Sequence, residues 1–205
     1  MQFDSVFTIL IIMKILLTLF VLLFPSSVVA DDISDFQIEG MSVGDSLLKY
    51  FSADQIKSEI ELKSDVYVKL GFDKSFVEVD FFSKEKTYDQ LSFWIKPEDP
   101  KYIIYSISGK ILYERNIDQC YEKLNEIVNE FSSMFKDAEQ MEEEGSHMAD
   151  ITGKSTFKTV YFHLNSGGVE VSCYDFDKTM QVTGNEDNLG IFIDNKEFIE
   201  WFVQP

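Results

Sequence analysis

The residues of this sequence that could carry out chemistry are few, and the first is a serine in the tetrapeptide GDSL at residues 44–47. A serine hydroxyl becomes a nucleophile only when a neighbouring base removes its proton. The chain contains 2 histidines, His147 and His163, and either could act as that base. The first chemistry to consider is therefore acyl transfer through Ser46.

The tetrapeptide matches the signature of a large family of serine hydrolases, whose later blocks supply an oxyanion-hole glycine, an asparagine and a C-terminal Asp-x-x-His. Neither histidine here has an aspartate three residues before it, and GNED at 184–187 has glutamate where that family's block needs asparagine. We therefore expect Gly44 to form a turn, and Asp45 or Ser46 to cap a short helix over residues 44–51. No catalytic residue is assigned, and a hydrolase that uses Ser46 is the alternative.

Acidic loops near the C-terminus offer carboxylates to a cation. Asp175 and Asp177 begin a spacing like that of a calcium-binding EF-hand loop, but Met180 stands where that loop needs glycine. The histidines and cysteines are too few for a closed zinc site. We predict solvated turns and neither a metal nor another cofactor, and weak cation binding by residues 175–188 stays open.

Two alternating runs flank NSGG at residues 165–168 and predict a β-hairpin. A four-residue loop would pair position 164 with 169, 162 with 171 and 160 with 173. His163 then lies beside Tyr161 and opposite Glu170, as a cross-strand charged pair on the outer face. A possible binding surface on the exposed side of the sheet comprises Trp94, Phe157, Tyr161, His163 and Tyr174.

The only cysteines, Cys120 and Cys173, are predicted to form a disulfide between a helix and this hairpin. Apolar residues recur at helical spacing from Ile117 to Phe135 and place Cys120 on the buried side of a long helix. Cys173 falls on the apolar side of the hairpin with Val160 and others. A bridge closing a loop of about 50 residues stabilises the fold by roughly 4 kcal/mol in the chain-entropy treatment.

Other segments complete an α+β fold in which an antiparallel sheet is covered on one face by the long helix and shorter helices. Asp194 and Glu197 resemble the start of a C-terminal helix that packs Phe198, Ile199 and Phe202 inward. The acidic segment 136–155 is predicted to extend the long helix and then form a loop. Strands are expected over 76–82, 90–96 and 102–113, with a turn or bulge at Ser108-Gly109, and short helices over 44–51 and 53–62.

Residues 1–30 are predicted to be a signal peptide, with translation starting at Met13. Its removal would leave residues 31–205 as a single domain. Lys14 precedes an apolar run over residues 15–24, and Val28 and Ala30 are small residues at the −3 and −1 positions of a cleavage site. An uncleaved anchor over residues 6–24 is the alternative, although it would carry Lys14 near its middle. Export to the periplasm or beyond favours the disulfide, because that environment is oxidising.

The charge balance limits the partners. With 18 Lys+Arg against 36 Asp+Glu, the net charge is −18. Such a chain repels nucleic-acid phosphates and anionic lipids, so we expect no nucleic-acid partner and no membrane association of the mature form. We predict an exported, non-enzymatic binding or interaction protein whose partner is an unknown protein or small ligand. A structural protein that maintains the cell envelope is a further alternative.

Three segments resemble uncharacterised secreted or periplasmic proteins of marine bacteria, over most of the chain after residue 30. They are FQIEGMSVGDSLLKYFS, YSISGKILYERNIDQCYEKL and TGKSTFKTVYFHLNSGGVEVSCYDF. The resemblance implies a signal peptide, two matching cysteines and no assigned activity, and it supplies no catalytic residue.

Overall fold

The structure is a computed structural model that describes residues 32–63, 73–82, 87–113, 116–136 and 138–203. The predicted signal peptide, residues 1–30, lies outside these ranges. Within them, no helix is both long enough and apolar enough to cross a lipid bilayer.

The described strands form one antiparallel sheet with the order β1-β2-β3-β7-β6-β5-β4. It consists of two meanders, β1–β3 and β4–β7, which become one sheet because β7 returns to pair with β3. The antiparallel α+β fold predicted from the sequence is confirmed. The strands are β1 (Val77–Phe82), β2 (Gln90–Ile95), β3 (Ile104–Leu112), β4 (Glu139–Ser146), β5 (Thr156–Leu164), β6 (Gly167–Asp175) and β7 (Asn188–Asn195).

The long helix, α2 (Ile117–Met134), connects β3 to β4 and packs against β6 and β7. Its apolar stripe turns Cys120, Leu124 and Ile127 towards the sheet. Cys120 forms the predicted disulfide with Cys173 on β6, across a Cα–Cα distance of 6.0 Å. The other helices of the described chain are α1 (Ala53–Lys63), α3 (Lys178–Gln181) and α4 (Lys196–Phe202), with single 3-10 turns at Ile33–Asp35 and Leu47–Lys49.

The main core lies between α2 and one face of the sheet. Alternate residues of neighbouring strands meet there in register, as in the pairs Phe93 with Ile107 and Ile107 with Ile193. Leu124 of α2 and Phe162 of β5 are each 1% exposed in this layer. Burial of each such side chain contributes about 1.5–3 kcal/mol, so this layer supplies most of the hydrophobic stabilisation.

The C-terminal helix α4 departs from the expected arrangement, because it packs on the face of the sheet opposite α2. Phe198 is buried there as predicted, against Trp94, Phe76 and Trp201. Phe202, expected to pack inward, is 46% exposed. The N-cap of α4 is Asn195, whose side chain accepts a 2.8 Å hydrogen bond from the Phe198 amide. The prediction that Asp194 caps this helix is wrong, since β7 continues through that residue.

The predicted acidic loop over residues 136–155 is wrong for its first half, which forms β4 over Glu139–Ser146. This strand pairs with β5 along one side only, at the edge of the sheet. An edge strand buries little on either face, so it has no apolar alternation for sequence analysis to detect. Its glutamates also discourage pairing with a second chain.

The predicted turn or bulge at Ser108-Gly109 is also wrong, because β3 runs through both residues. The register of β2 and β3 is irregular elsewhere, between Trp94 and Ile95. Glycine is needed at position 109 for space, since a Cβ there would come within 2.5 Å of the Tyr88 ring.

The hairpin of β5 and β6 has a tighter turn than predicted. Leu164 pairs with Gly167, Phe162 with Val169 and Lys158 with Cys173. This register differs from the expected one by two residues, and a two-residue shift leaves every side chain on its expected face. The predicted pair of His163 and Glu170 is nevertheless wrong, because His163 lies opposite Gly168.

Candidate ligand site on the sheet face opposite the long helix

The sheet face opposite α2, called here the polar face, has small residues where the core face has large ones. Four small polar side chains on this face are each at most 2% exposed: Ser92 on β2, Ser106 on β3, Thr159 on β5 and Ser172 on β6. Glycines 168 and 190 lie among them on β6 and β7. Small side chains at these positions make a polar floor over which larger neighbours stand.

Glu170 on β6 is the first carboxyl group on this floor. Its Oε1 atom accepts hydrogen bonds from the Ser172 hydroxyl and, at 3.4 Å, from the Tyr174 hydroxyl. The Ser172 oxygen lies 2.6 Å from the Thr159 hydroxyl, which can donate to it, so that a chain of hydrogen bonds runs from Thr159 through Ser172 to Glu170. Burial raises the pKa of the Glu170 carboxyl, the two hydrogen bonds oppose that shift, and the charge of Glu143 on β4 adds to it.

Asp194 on β7 is the second carboxyl group. It lies opposite Gly168 of β6 and Ser106 of β3, while Glu170 pairs with Phe192. The two acids are thus diagonal neighbours on one face, with backbones roughly 7–8 Å apart. Burial raises the pKa of Asp194 to about 7, a hydrogen bond with Ser106 opposes the shift, and the charge of Glu170 adds to it. We call Glu170, Asp194 and the hydroxyls of Ser106, Ser172 and Tyr174 the acid cluster.

The acid cluster has unmet electrostatic and hydrogen-bonding capacity. The Oδ1 atom of Asp194 is buried and has no hydrogen-bond partner among the residues that the structure describes. The ion pairs found in the described part of the chain use other acids: Asp45, Asp80, Glu126, Glu197 and Glu200. Within the described ranges, no lysine or arginine is among the groups that shift the pKa of Glu170 or Asp194. Buried carboxyl groups are normally paired or fully hydrogen-bonded, so this arrangement is unusual for a purely structural region.

Aromatic side chains border the acid cluster. Tyr161 of β5 pairs with Glu170 across the strands, and Phe192 of β7 pairs with it from the other side. The Phe192 ring lies over Gly190, where a Cβ would come within 2.5 Å of it. At the end of the cluster nearest the β5–β6 turn, the Cδ1 atom of Ile199 in α4 would lie 3.5 Å from a Cβ at position 168, where the residue is glycine. The cluster is therefore bounded by rings on two sides and by α4 at one end.

The structure brings together four of the five residues of the predicted binding surface. Phe157, Tyr161 and His163 alternate along β5 on the polar face, and Tyr174 pairs with Phe157. Tyr161 and His163 stack with ring centroids 6.2 Å apart. Trp94 shares this face but lies four strands from β5, or about 19 Å. It is 8% exposed within the aromatic cluster beneath α4, so it stands apart from the other four.

Sequence analysis missed Glu170 and Asp194 as site residues, since it paired the first with His163 and assigned the second to a helix cap. Alternation did place Glu170 on the outer face. Alternation along one strand cannot show which charged groups surround Glu170, because those groups depend on which strands become neighbours of β6.

Ser46 makes different contacts from those expected. It stands at the N-cap position of the Leu47–Lys49 turn, but its side chain makes no capping hydrogen bond. Its hydroxyl instead donates to the Lys101 carbonyl oxygen at 2.6 Å. The predicted cap is therefore wrong in its bonding, while the turn at Gly44 is confirmed by a φ of 89°. Nδ1 of His147 accepts from the Ala149 amide, and within the described residues neither histidine is a hydrogen-bond partner of Ser46.

The acidic loops at 175–188 use their carboxylates internally. Asp177 caps α3 by accepting a 3.0 Å hydrogen bond from the Thr179 amide. Asp187 accepts from the Phe176 amide at 2.9 Å and from the Gln181 side chain at 3.2 Å. Among the described residues, no group of three or more histidine, cysteine, aspartate or glutamate side chains could hold a metal ion.

A shallow depression of about 650 Å³ lies beside the sheet edge and is lined by Tyr121, Phe157, Lys158 and residues 144–146 and 156. Its lining contains one acidic residue, Glu144, which lies opposite Lys158 across β4 and β5, so the charges of this depression balance as those of the acid cluster do not.

Comparison with known proteins finds no matching family profile, no matching curated protein and no matching solved structure. The functional argument therefore depends on the chemistry of the site.

Proposed function

We propose that this protein is an exported, non-enzymatic binding protein that holds a small-molecule ligand on the polar face of its sheet. The observation that carries the proposal is the acid cluster, in which the Oδ1 atom of Asp194 is buried and accepts no hydrogen bond from the described part of the chain. A ligand that supplies hydrogen bonds at this point would satisfy a group that the described chain leaves unsatisfied.

The shape of the site favours a small ligand over a protein partner. Glu170 and Asp194 are only partly exposed, and Ser106 and Ser172 beside them are buried. Protein interfaces usually present large side chains that reach outward, whereas small-molecule sites set a few polar groups among aromatic walls. Tyr161 and Phe192 are placed to act as those walls.

Export rests on the signal peptide predicted at residues 1–30 and is supported by the disulfide of Cys120 and Cys173. Disulfides persist in the periplasm and outside the cell and are rare in the cytosol. The Ser46 hydroxyl donates its hydrogen bond to the Lys101 carbonyl oxygen and not to a base, so this contact does not support a role for Ser46 as a hydrolase nucleophile.

A thermal-shift screen of a chemically diverse small-molecule library against the chain from residue 31 to 205 tests this proposal. We expect at least one chemical class to raise the melting temperature, and Tyr161→Ala to reduce that rise. A library in which no compound stabilises the protein, or in which Tyr161→Ala leaves every hit unchanged, would contradict ligand binding on the polar face.

A further inference from the structure

The unmatched carboxyl groups of the polar face define the charge of the ligand. We propose that the acid cluster binds a small organic ammonium ion, held by Glu170 and Asp194 and flanked by the rings of Tyr161 and Phe192. This inference rests on the proposed function and names the class of ligand.

The first support is the count of charges. The charge of Glu143 on β4 acts on Glu170 of β6, and the charge of Glu170 acts on Asp194 of β7, and both interactions are repulsive. No cationic side chain of the described chain is among the groups that shift the pKa of Glu170 or Asp194. A bound cation would remove this repulsion and allow both carboxyl groups to ionise.

The second support is the pattern of hydrogen-bond donors and acceptors. Both hydrogen bonds to Glu170 reach Oε1, which leaves Oε2 without a donor among the described residues. The Oδ1 atom of Asp194 is likewise unpartnered. An alkylammonium group carries three N–H donors and no acceptor, which matches two free carboxylate oxygens on diagonal neighbours.

The aromatic rings discriminate between an organic cation and a metal ion. Two carboxyl groups supply fewer oxygen ligands than Ca²⁺ requires. A metal ion near such a pair would therefore keep most of its bound water and gain little affinity from the site. Tyr161 and Phe192 offer apolar contact to alkyl carbons, and aromatic ring faces attract an ammonium group. The net charge of −18 also raises the local concentration of cations around the protein.

The inference is tested by isothermal titration calorimetry of residues 31–205 with 1,4-diaminobutane at about pH 8, which lies above the pKa of about 7 of Asp194. The neutral isostere 1,4-butanediol and CaCl₂ serve as ligand controls. We expect the diamine to bind, the diol to show no measurable binding, and added NaCl to weaken the diamine through screening.

Two double variants locate the binding. Glu170→Gln with Asp194→Asn keeps side-chain shape and acceptor oxygens, and it should weaken diamine binding by roughly tenfold or more. Glu122→Gln with Glu130→Gln removes the same charge from exposed positions on α2, on the other side of the sheet, and should leave affinity within about twofold. Equal losses in the two variants would reduce the effect to overall charge and overturn the inference.

Other results overturn the inference and leave the proposed function standing. A neutral or anionic compound that binds the polar face while the diamine fails would assign the site to another chemistry. Tighter binding of Ca²⁺ than of the diamine, or binding of a lysine-rich peptide without the free diamine, would do the same. If nothing in the library binds, the proposed function itself fails.

Discussion

Asp194→Asn should stabilise the protein at neutral pH, and the size of the effect follows from the buried carboxyl group. The pKa of Asp194 rises from 3.8 to about 7 on folding, chiefly through burial. At 1.36 kcal/mol per pKa unit, the ionised group costs at most about 4 kcal/mol of folding free energy. Asp194 keeps partial contact with solvent, which we allow for by halving that figure to about 2 kcal/mol.

The sign of the pH dependence is fixed by the direction of the shift. An acid whose pKa is raised in the folded state binds more protons there than in the unfolded chain, so the stability of the wild type falls as pH rises from about 4 to about 7. Asparagine resembles the protonated carboxyl group and does not titrate. The stability gain of Asp194→Asn should be near zero at about pH 4 and reach its full size of about 2 kcal/mol at about pH 8.

Urea unfolding followed by tryptophan fluorescence measures this difference, because Trp94 beneath α4 and Trp201 on α4 both contact Phe198. At the full effect, the melting temperature of Asp194→Asn should exceed that of the wild type by roughly 4–8 °C. Glu122→Gln, at an exposed position on α2, is the control and should change the free energy of unfolding only slightly. A difference for Asp194→Asn that is flat or falls between pH 4 and 8 would refute the assignment of a buried, electrostatically unmatched carboxyl group.

Three further predictions test the rest of the fold. Replacing both Cys120 and Cys173 with serine should lower the free energy of unfolding by roughly 4 kcal/mol, and a loss below about 1 kcal/mol in urea unfolding would show that the bridge is dispensable. Ser46→Ala removes one hydrogen bond, so it should cost about 1 kcal/mol in the same assay and leave ligand affinity unchanged; loss of an esterase activity in that variant would restore the hydrolase alternative. Asp150 accepts four hydrogen bonds from Thr152 and Ser155, which hold the pKa of its carboxyl well below the usual range. Asp150→Asn should therefore destabilise the protein most at neutral pH and progressively less as pH falls below about 4, and a pH-independent difference would contradict that role.

The long helix, the hairpin faces and the disulfide could be predicted because each depends on periodicity along a short stretch of sequence. The predicted hairpin register was wrong by two residues, but Cys173 still lies on the predicted face because side chains alternate with a period of two. Strand β4 was missed because its burial is too slight to impose any alternation on its residues. The position of α4 was missed for another reason: Phe198 shows that the helix has a buried side, but the sequence does not say which face of the sheet receives it.

The candidate site was less accessible to sequence analysis than the fold. Its defining property is that the described residues place no cationic side chain beside the two acids, and this can be recognised only once the neighbours in space are known. Glu170 and Asp194 are 24 positions apart on different strands, and Ser106 joins them from the first meander only because β7 pairs with β3. Aromatic residues on β5 were found because they alternate within one strand. The acids at the centre required the pairing of three strands.

Strand β6 links the stability of the molecule to its proposed site. Cys173, on the core face, fixes this strand to α2, while Glu170 and Tyr174 stand on the polar face of the same strand. The disulfide stabilises by roughly 4 kcal/mol, which is of the same order as the cost of the buried carboxyl at Asp194. A strand held in this way can retain an unmatched acid cluster that would otherwise weaken the fold. A bound cation would relieve the repulsion between Glu170 and Asp194 on the polar face, whereas the disulfide acts on the core face. Ligand binding should therefore stabilise the reduced protein as well as the oxidised one.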